Sequence, residues 1–302
     1  MQQSMSFPPA AARMPTFHSR PYAPTSAWNT PVGPSPQVHP DNAALMARLA
    51  TKPPLTSDPT QYTFPIYEIS ATRPRRAVKL SGYFSTYASD SSRKGHGFAP
   101  TVEEVPVPPN AVQSAGSDGT IVFWDPATGD EWAFWQWRDL EGQAQAVNGY
   151  HYNTNWSGRF FDGLAGRGAG FPYFAGLVRP WEVAAGRIDH AIAFAYAWPS
   201  PEFVPPASKS DGRGIRGTDL PEGTRLQLDP SLTEEDFDRM GLVPAARVVA
   251  RALQEYGMIV IDNSVSTKIM LEDNLTANWG TTLTRDSVTP ISLEKFRVLA
   301  PG

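Results

Sequence analysis

The chain has 302 residues, 41% of them hydrophobic, a formal charge of −4 and no cysteine. Disulfides, thiolate metal sites and a cysteine nucleophile are therefore excluded. An acidic balance argues against nucleic acid, which calls for a basic face, and no apolar run is long enough to span a membrane.

The 30 prolines and 24 glycines favour turns and edge strands over long helices. The predicted fold class is mainly β: an antiparallel, jelly-roll-like β-sandwich with one main packed helix. Residues 1–40 read as an extended arm rich in Pro, Ser, Ala and Thr, and residues 41–302 as a single β-rich domain. The arm's composition cannot build its own core. Its spaced aromatics, Phe7, Phe17, Tyr22 and Trp28, predict that it docks on its own domain or on a neighbouring subunit.

Asp41 is placed to cap a short helix carrying Ala44, Leu45, Met46 and Leu49, which stops before Pro53-Pro54. Strands come next, between Tyr62 and Phe84. Arg73, Arg75, Arg76 and Lys79 read as a solvated edge, and Ser89–Gly97 as a polar loop. The clearest hairpin joins Thr120–Trp124 to Asp130–Trp137 through Asp125-Pro126-Ala127-Thr128-Gly129, with Pro early in the turn and Gly at its end. The glycine-rich stretch Gly158 to Gly170 lacks the strand–turn–helix context of a nucleotide loop and reads as flexible. In Arg187–Trp198 large residues (Ile188, His190, Ile192, Phe194, Tyr196, Trp198) alternate with small ones. One face should meet a thick layer and the other permit close packing. Leu226–Asp229 is a strand, Val243–Tyr256 the main helix with Pro244 in its first turn and Gly257 after it. Met258–Asp262 is a buried strand, and Ser292–Leu299 a short terminal helix.

Period-two alternation puts Glu131, Ala133, Trp135 and Trp137 on one strand face. A carboxylate beside two indoles suits a sugar, whose C–H face stacks on aromatic rings while a carboxylate binds hydroxyls or moves a proton. The same strand reads equally as core with Glu131 at its end. His190 titrates near neutrality and is a candidate acid–base group, or else a hydrogen-bonded core histidine. Asp189 beside it points to the opposite face, so the two make no direct dyad. Ser117-Asp118-Gly119 and Ser210-Asp211-Gly212 are turn sequences whose carboxylates are candidates to meet at a cleft. Asp229 and Asp262, each closing an apolar strand, are similarly placed. The candidate catalytic residues are thus Glu131, His190 and Asp211, and the candidate ligand-binding residues Trp135 and Trp137. No histidine pair has metal spacing and no Asp-rich calcium loop is present, so neither metal nor cofactor is predicted.

Several segments together resemble a family of actinobacterial secreted proteins and actinobacteriophage tail-associated (minor tail) proteins. They are Ser26-Ala27-Trp28-Asn29, Gly186-Arg187-Ile188-Asp189-His190-Ala191, Ser208-Lys209-Ser210-Asp211-Gly212 and Leu220-Pro221-Glu222-Gly223-Thr224-Arg225-Leu226-Gln227-Leu228-Asp229-Pro230. The resemblance implies a virion or extracellular setting. Met1 to Ala12 lacks the charged start and apolar core of a signal peptide, which favours the virion branch. The expected role is a phage minor tail or tail-tip component contacting host cell-envelope polysaccharide, with neighbouring virion subunits as partners. The alternatives are a glycoside hydrolase or polysaccharide lyase on cell-wall sugar, and a purely structural virion protein.

Overall fold

Large and small residues alternate through Ile192–Tyr196, and the two faces of this strand set the order of the layers. The computed structural model describes residues 20–70, 72–98 and 100–301; Phe7 and Phe17 lie outside them. Ile192–Tyr196 is central in a C-terminal sheet whose strands run Leu55–Thr56, Thr267–Ile269, Ile192–Tyr196, Met258–Asn263, Arg225–Leu228, Phe296–Val298. Its bulky face, with Ile192, Phe194 and Tyr196, packs with Met258 and Val260 against the helix Pro244–Glu255 through Ala246, Val249 and Leu253. Its small face, Ala191, Ala193 and Ala195, joins Ile259 and Ile261 in a second core shared with an N-terminal sheet.

That N-terminal sheet runs Ile66–Glu68, Ile121–Trp124, Asp130–Trp135, Asn148–Asn153, Tyr83–Ser89, Ser92–Phe98. Its inner face contributes Val122, Trp124, Ala133, Tyr150 and Tyr152. Its outer face, with Phe123, Trp132 and Phe134, packs on Val78, Leu80, Val105 and Ala144 of a four-stranded sheet. The architecture is therefore mainly β with packed sheets and one long helix on the outer side, as composition predicted. The pairing is mixed. Ile192–Tyr196 runs parallel to Met258–Asn263, and Tyr83–Ser89 parallel to Asn148–Asn153. The alanine face does not touch the opposite sheet alone. The glycine-rich segment and its C-terminal neighbours fill the space, inserting Phe160, Phe171 and Phe174 between the sheets.

The predicted hairpin forms at the expected residues. The Gly129 N–H donates to Asp125 O at 2.8 Å, and Gly129 has φ +79°. Two expectations are corrected. Ser92–Phe98 is an edge strand paired with Tyr83–Ser89, not a loop. It is exposed along nearly its whole length, so no apolar alternation marks it. At the C-terminal end only Leu293–Lys295 makes a helical turn; Phe296–Val298 then pairs with Arg225–Leu228 and closes the sheet edge. That pairing is non-local and overrides the local helical pattern.

The described part of the arm docks on its own domain. Tyr22 and Trp28 are buried in the inter-sheet core. The Trp28 indole N–H donates to Gly158 O at 2.9 Å, and its ring meets Phe171 edge-on at 5.0 Å. The Asn29 side-chain amide donates to the carbonyls of Pro21 and Tyr22 at 2.8 and 3.0 Å, which holds the loop in a compact shape. Replacing a buried aromatic by alanine leaves a cavity and typically costs about 3–5 kcal/mol. Trp28→Ala is expected to destabilise the domain by that amount, read as a lower midpoint in urea unfolding with an unchanged slope.

Candidate functional site

The turn Ser117-Asp118-Gly119 lies against the end of the strand Asp130–Trp135. The N–H groups of Gln136 and Trp137 donate to Asp118 O at 2.8 Å and Gly119 O at 2.9 Å. Asp118 and Trp135 therefore stand side by side on one wall of a cleft of about 500 Å³. The facing wall carries Lys209, Asp211 and Asp262, with Gly166, Arg167 and Gly168 between. Tyr83 and Tyr150 extend the aromatic lining.

Three separate segments bring carboxylates together on that facing wall. Asp211 sits in a turn that the Ser210 hydroxyl pins to Ser200 O at 3.1 Å. Its Oδ1 accepts from the Asn263 N–H at 3.3 Å. Asp262 is near the end of Met258–Asn263, and Glu222 ends the two-residue strand Pro221–Glu222, paired with Ser200–Phe203. One carboxylate oxygen from each of Asp211, Glu222 and Asp262 lies within 4.8 Å of the others. Glycine at 168 permits this approach. A Cβ there would overlap Asp211 Oδ1 and lie 2.9 Å from Asp262 Oδ1.

Burial and mutual repulsion shift these groups together. Glu222 is pushed up to about 10, first by desolvation and then by the Asp211 and Asp262 carboxyls. Asp262 is raised to about 7 by burial and Asp211, with Arg167 pulling the other way. Asp118 is raised by burial and, more weakly, by Asp211, while a hydrogen bond from Trp135 opposes the rise. Burial also lowers Lys209, against the pull of Asp262 and Asp211. The site thus crowds carboxyl groups whose pKa values burial and mutual repulsion raise by different amounts, a pattern found at acid–base centres.

Of the residues predicted from sequence, Asp211 and Trp135 line the cleft, and the two Ser-Asp-Gly turns do meet there through Asp118 and Asp211. Glu131, His190 and Trp137 do not. Glu131 is fully buried between the sheets, where the Tyr150 hydroxyl donates to its Oε1 at 2.6 Å. His190 is also buried. Its Nε2 lies 3.0 Å from Glu182 Oε1 and its Nδ1 2.9 Å from Ala191 O. Burial disfavours its charge, but the Glu182 contacts outweigh that and raise its pKa. Asp189 turns away to pair with Arg187.

Trp137 fails for a geometric reason. Gln136 has φ +54°, so the strand ends at Trp135 and the alternation breaks. Trp137 swings to the outer face, packing edge-on to Phe123 at 5.3 Å. Sequence reasoning also missed Glu222, which sits inside a segment singled out only for resemblance. Half-exposed Trp198 has φ +67°, and its backbone N–H donates to Asn263 Oδ1 at 3.1 Å, next in sequence to Asp262. A positive φ is uncommon for so bulky a residue.

Comparisons with family models, with curated proteins and with solved structures give no match for the chain.

Burial holds Glu131 at about 7, against 4.5 for an ordinary glutamate. The folded chain therefore retains a proton that the unfolded chain has lost. Stability falls as pH rises through this window, by about 3 kcal/mol from this group alone. Glu131→Gln should remove that share. The parent should lose about 3 kcal/mol more than the variant between about pH 4 and about pH 8 in urea unfolding. Parallel pH profiles would contradict the buried, protonated state.

Proposed function

We propose that the protein takes cell-envelope glycan into this cleft and hydrolyses a glycosidic bond there. The observation that supports this reading is the pairing of Asp118 on one wall with Asp211 on the other, across a space floored by aromatic rings. Trp135 offers a plane for the C–H face of a sugar. Asp118, whose pKa burial raises, donates the proton to the glycosidic oxygen as the C–O bond breaks. Asp211, the most exposed carboxylate of the facing wall, stabilises the positive charge developing at the anomeric carbon and directs the water that completes the reaction. The cleft volume falls within the range of ordinary ligand pockets.

The setting comes from the resemblance alone: a phage tail tip, or a secreted protein, meeting polysaccharide at the cell surface. A protein that only binds glycan would need the aromatic planes but not carboxyls from two separate turns in the same cleft. A purely structural virion protein would need neither. The two carboxyls favour hydrolysis over the other two readings.

Asp118→Asn and Asp211→Asn should each lower sugar release from envelope polysaccharide by about 10²–10⁴-fold while retention on that polysaccharide persists. Trp135→Ala should weaken retention about tenfold. Retention that depends on Trp135, with no sugar released by the parent, would replace hydrolysis by binding. Parent-like behaviour of all three folded variants would reject the site.

A further inference from the structure

We infer that Asp211, Glu222 and Asp262 form a binding site for a hard divalent cation at the base of the cleft, whether or not the cleft takes glycan. Glu222 is fully buried and has no hydrogen-bond partner of normal geometry on either carboxylate oxygen. It faces the side chain and backbone of Asp211, with Asp262 beyond. A buried carboxyl without a partner stays protonated to avoid the cost of its charge, and a cation at that position can take the proton's place.

Spacing and charge both fit a metal ion. Oxygens bound to one calcium ion at 2.3–2.6 Å are separated by no more than about 5 Å. The three carboxylate oxygens already lie within 4.8 Å of one another. All the donors are oxygen, which selects Ca²⁺, Mg²⁺ or Mn²⁺ over metals that prefer imidazole or thiolate. The cleft opens on Asp211, so water can complete the coordination shell. Around the site four carboxyls (Asp118, Asp211, Glu222, Asp262) outnumber the cationic groups Arg167, Lys209 and Lys268. Arg167 is already committed to the carbonyls of Ala175 and Tyr173. With every carboxyl ionised, as metal ligation requires, negative charge is in excess, which a bound cation offsets. Gly168 keeps the approach to Asp211 and Asp262 free of side-chain atoms.

The test uses the full chain and metal ions alone, with no sugar present. Equilibrium dialysis against about 1 mM Ca²⁺, Mg²⁺ or Mn²⁺ at neutral pH should find one ion of at least one type per chain. The same ion should raise the melting temperature, and EDTA should reverse the rise. Glu222→Gln and Asp262→Asn keep the side-chain shape while removing charge, and each should weaken the affinity at least about tenfold. Glu235→Gln, exposed on the helix Glu234–Arg239 and not part of the cleft lining, should leave cation binding intact. Absence of a bound ion on the parent, or parent-like affinity in both folded ligand variants, would overturn the assignment. Because no polysaccharide is involved, that result would leave hydrolysis by Asp118 and Asp211 standing, and a failure of hydrolysis would leave the cation site standing.

Discussion

A guanidinium sealed between the two large sheets organises the cleft from below. Arg167 is buried, with its charge 4.4 Å from the Phe64 ring centroid and its N–H groups on the carbonyls of Ala175, at 2.9 Å, and Tyr173. Its own backbone N–H donates to Phe171 O at 3.0 Å. These contacts close the glycine-rich segment on itself and thereby build the wall that carries Gly166 and Gly168. A buried charge left without partners would be strongly unfavourable, so the segment has little freedom to open while Arg167 stays in place. The same charge opposes the burial-driven rise in pKa of Glu131 on one side and of Asp262 on the other. One residue therefore couples the sealed interior to the open site.

Several charged groups elsewhere are satisfied by ordinary means. Asp219 accepts from Arg48 at 2.8 Å and lies 3.3 Å from Lys52, and the helix Glu234–Arg239 is capped by Thr233 and Asp236. Against that background the crowding of like charges at Asp211, Glu222 and Asp262 is a local departure. Such departures persist in natural proteins mainly where they serve binding or catalysis. Glu131 departs from the pattern too, but it has no route to a ligand, and Tyr150 fixes it in place.

Local patterns foretold local structure. The hairpin turn and the helix that starts at Pro244 appear where periodicity and turn chemistry put them, and of the alternation expected over Arg187–Trp198 the central part, Ile192–Tyr196, forms a strand. Half of the site was legible for the same reason: Asp118 and Asp211 are turn residues, and turns surround clefts. Asp262 was among the candidates as the end of an apolar strand, but Glu222 was not legible, because its meeting with Asp262 depends on sheet register between segments far apart in the chain. Trp137 was misread because one left-handed residue, Gln136, is enough to invert a strand's alternation, and glutamine carries no signal for that conformation. Glu131 and His190 show a related limit. A titratable residue on an apolar strand looks the same in sequence whether it faces a ligand or a buried partner such as Tyr150 or Glu182.

The order of strands in the C-terminal sheet has a kinetic consequence. Leu55–Thr56 pairs with Thr267–Lys268, Ile192–Tyr196 with Met258–Asn263, and Arg225–Leu228 with Phe296–Val298. Closing such distant pairs must precede the gain they bring, which slows folding. On the ribosome, the early strand Leu55–Thr56 waits for most of the chain to emerge before its neighbour exists. The apolar faces of Ile192–Tyr196 and Met258–Asn263 stay uncovered during that interval. A chain built this way exposes aggregation-prone apolar surface while the last strands arrive.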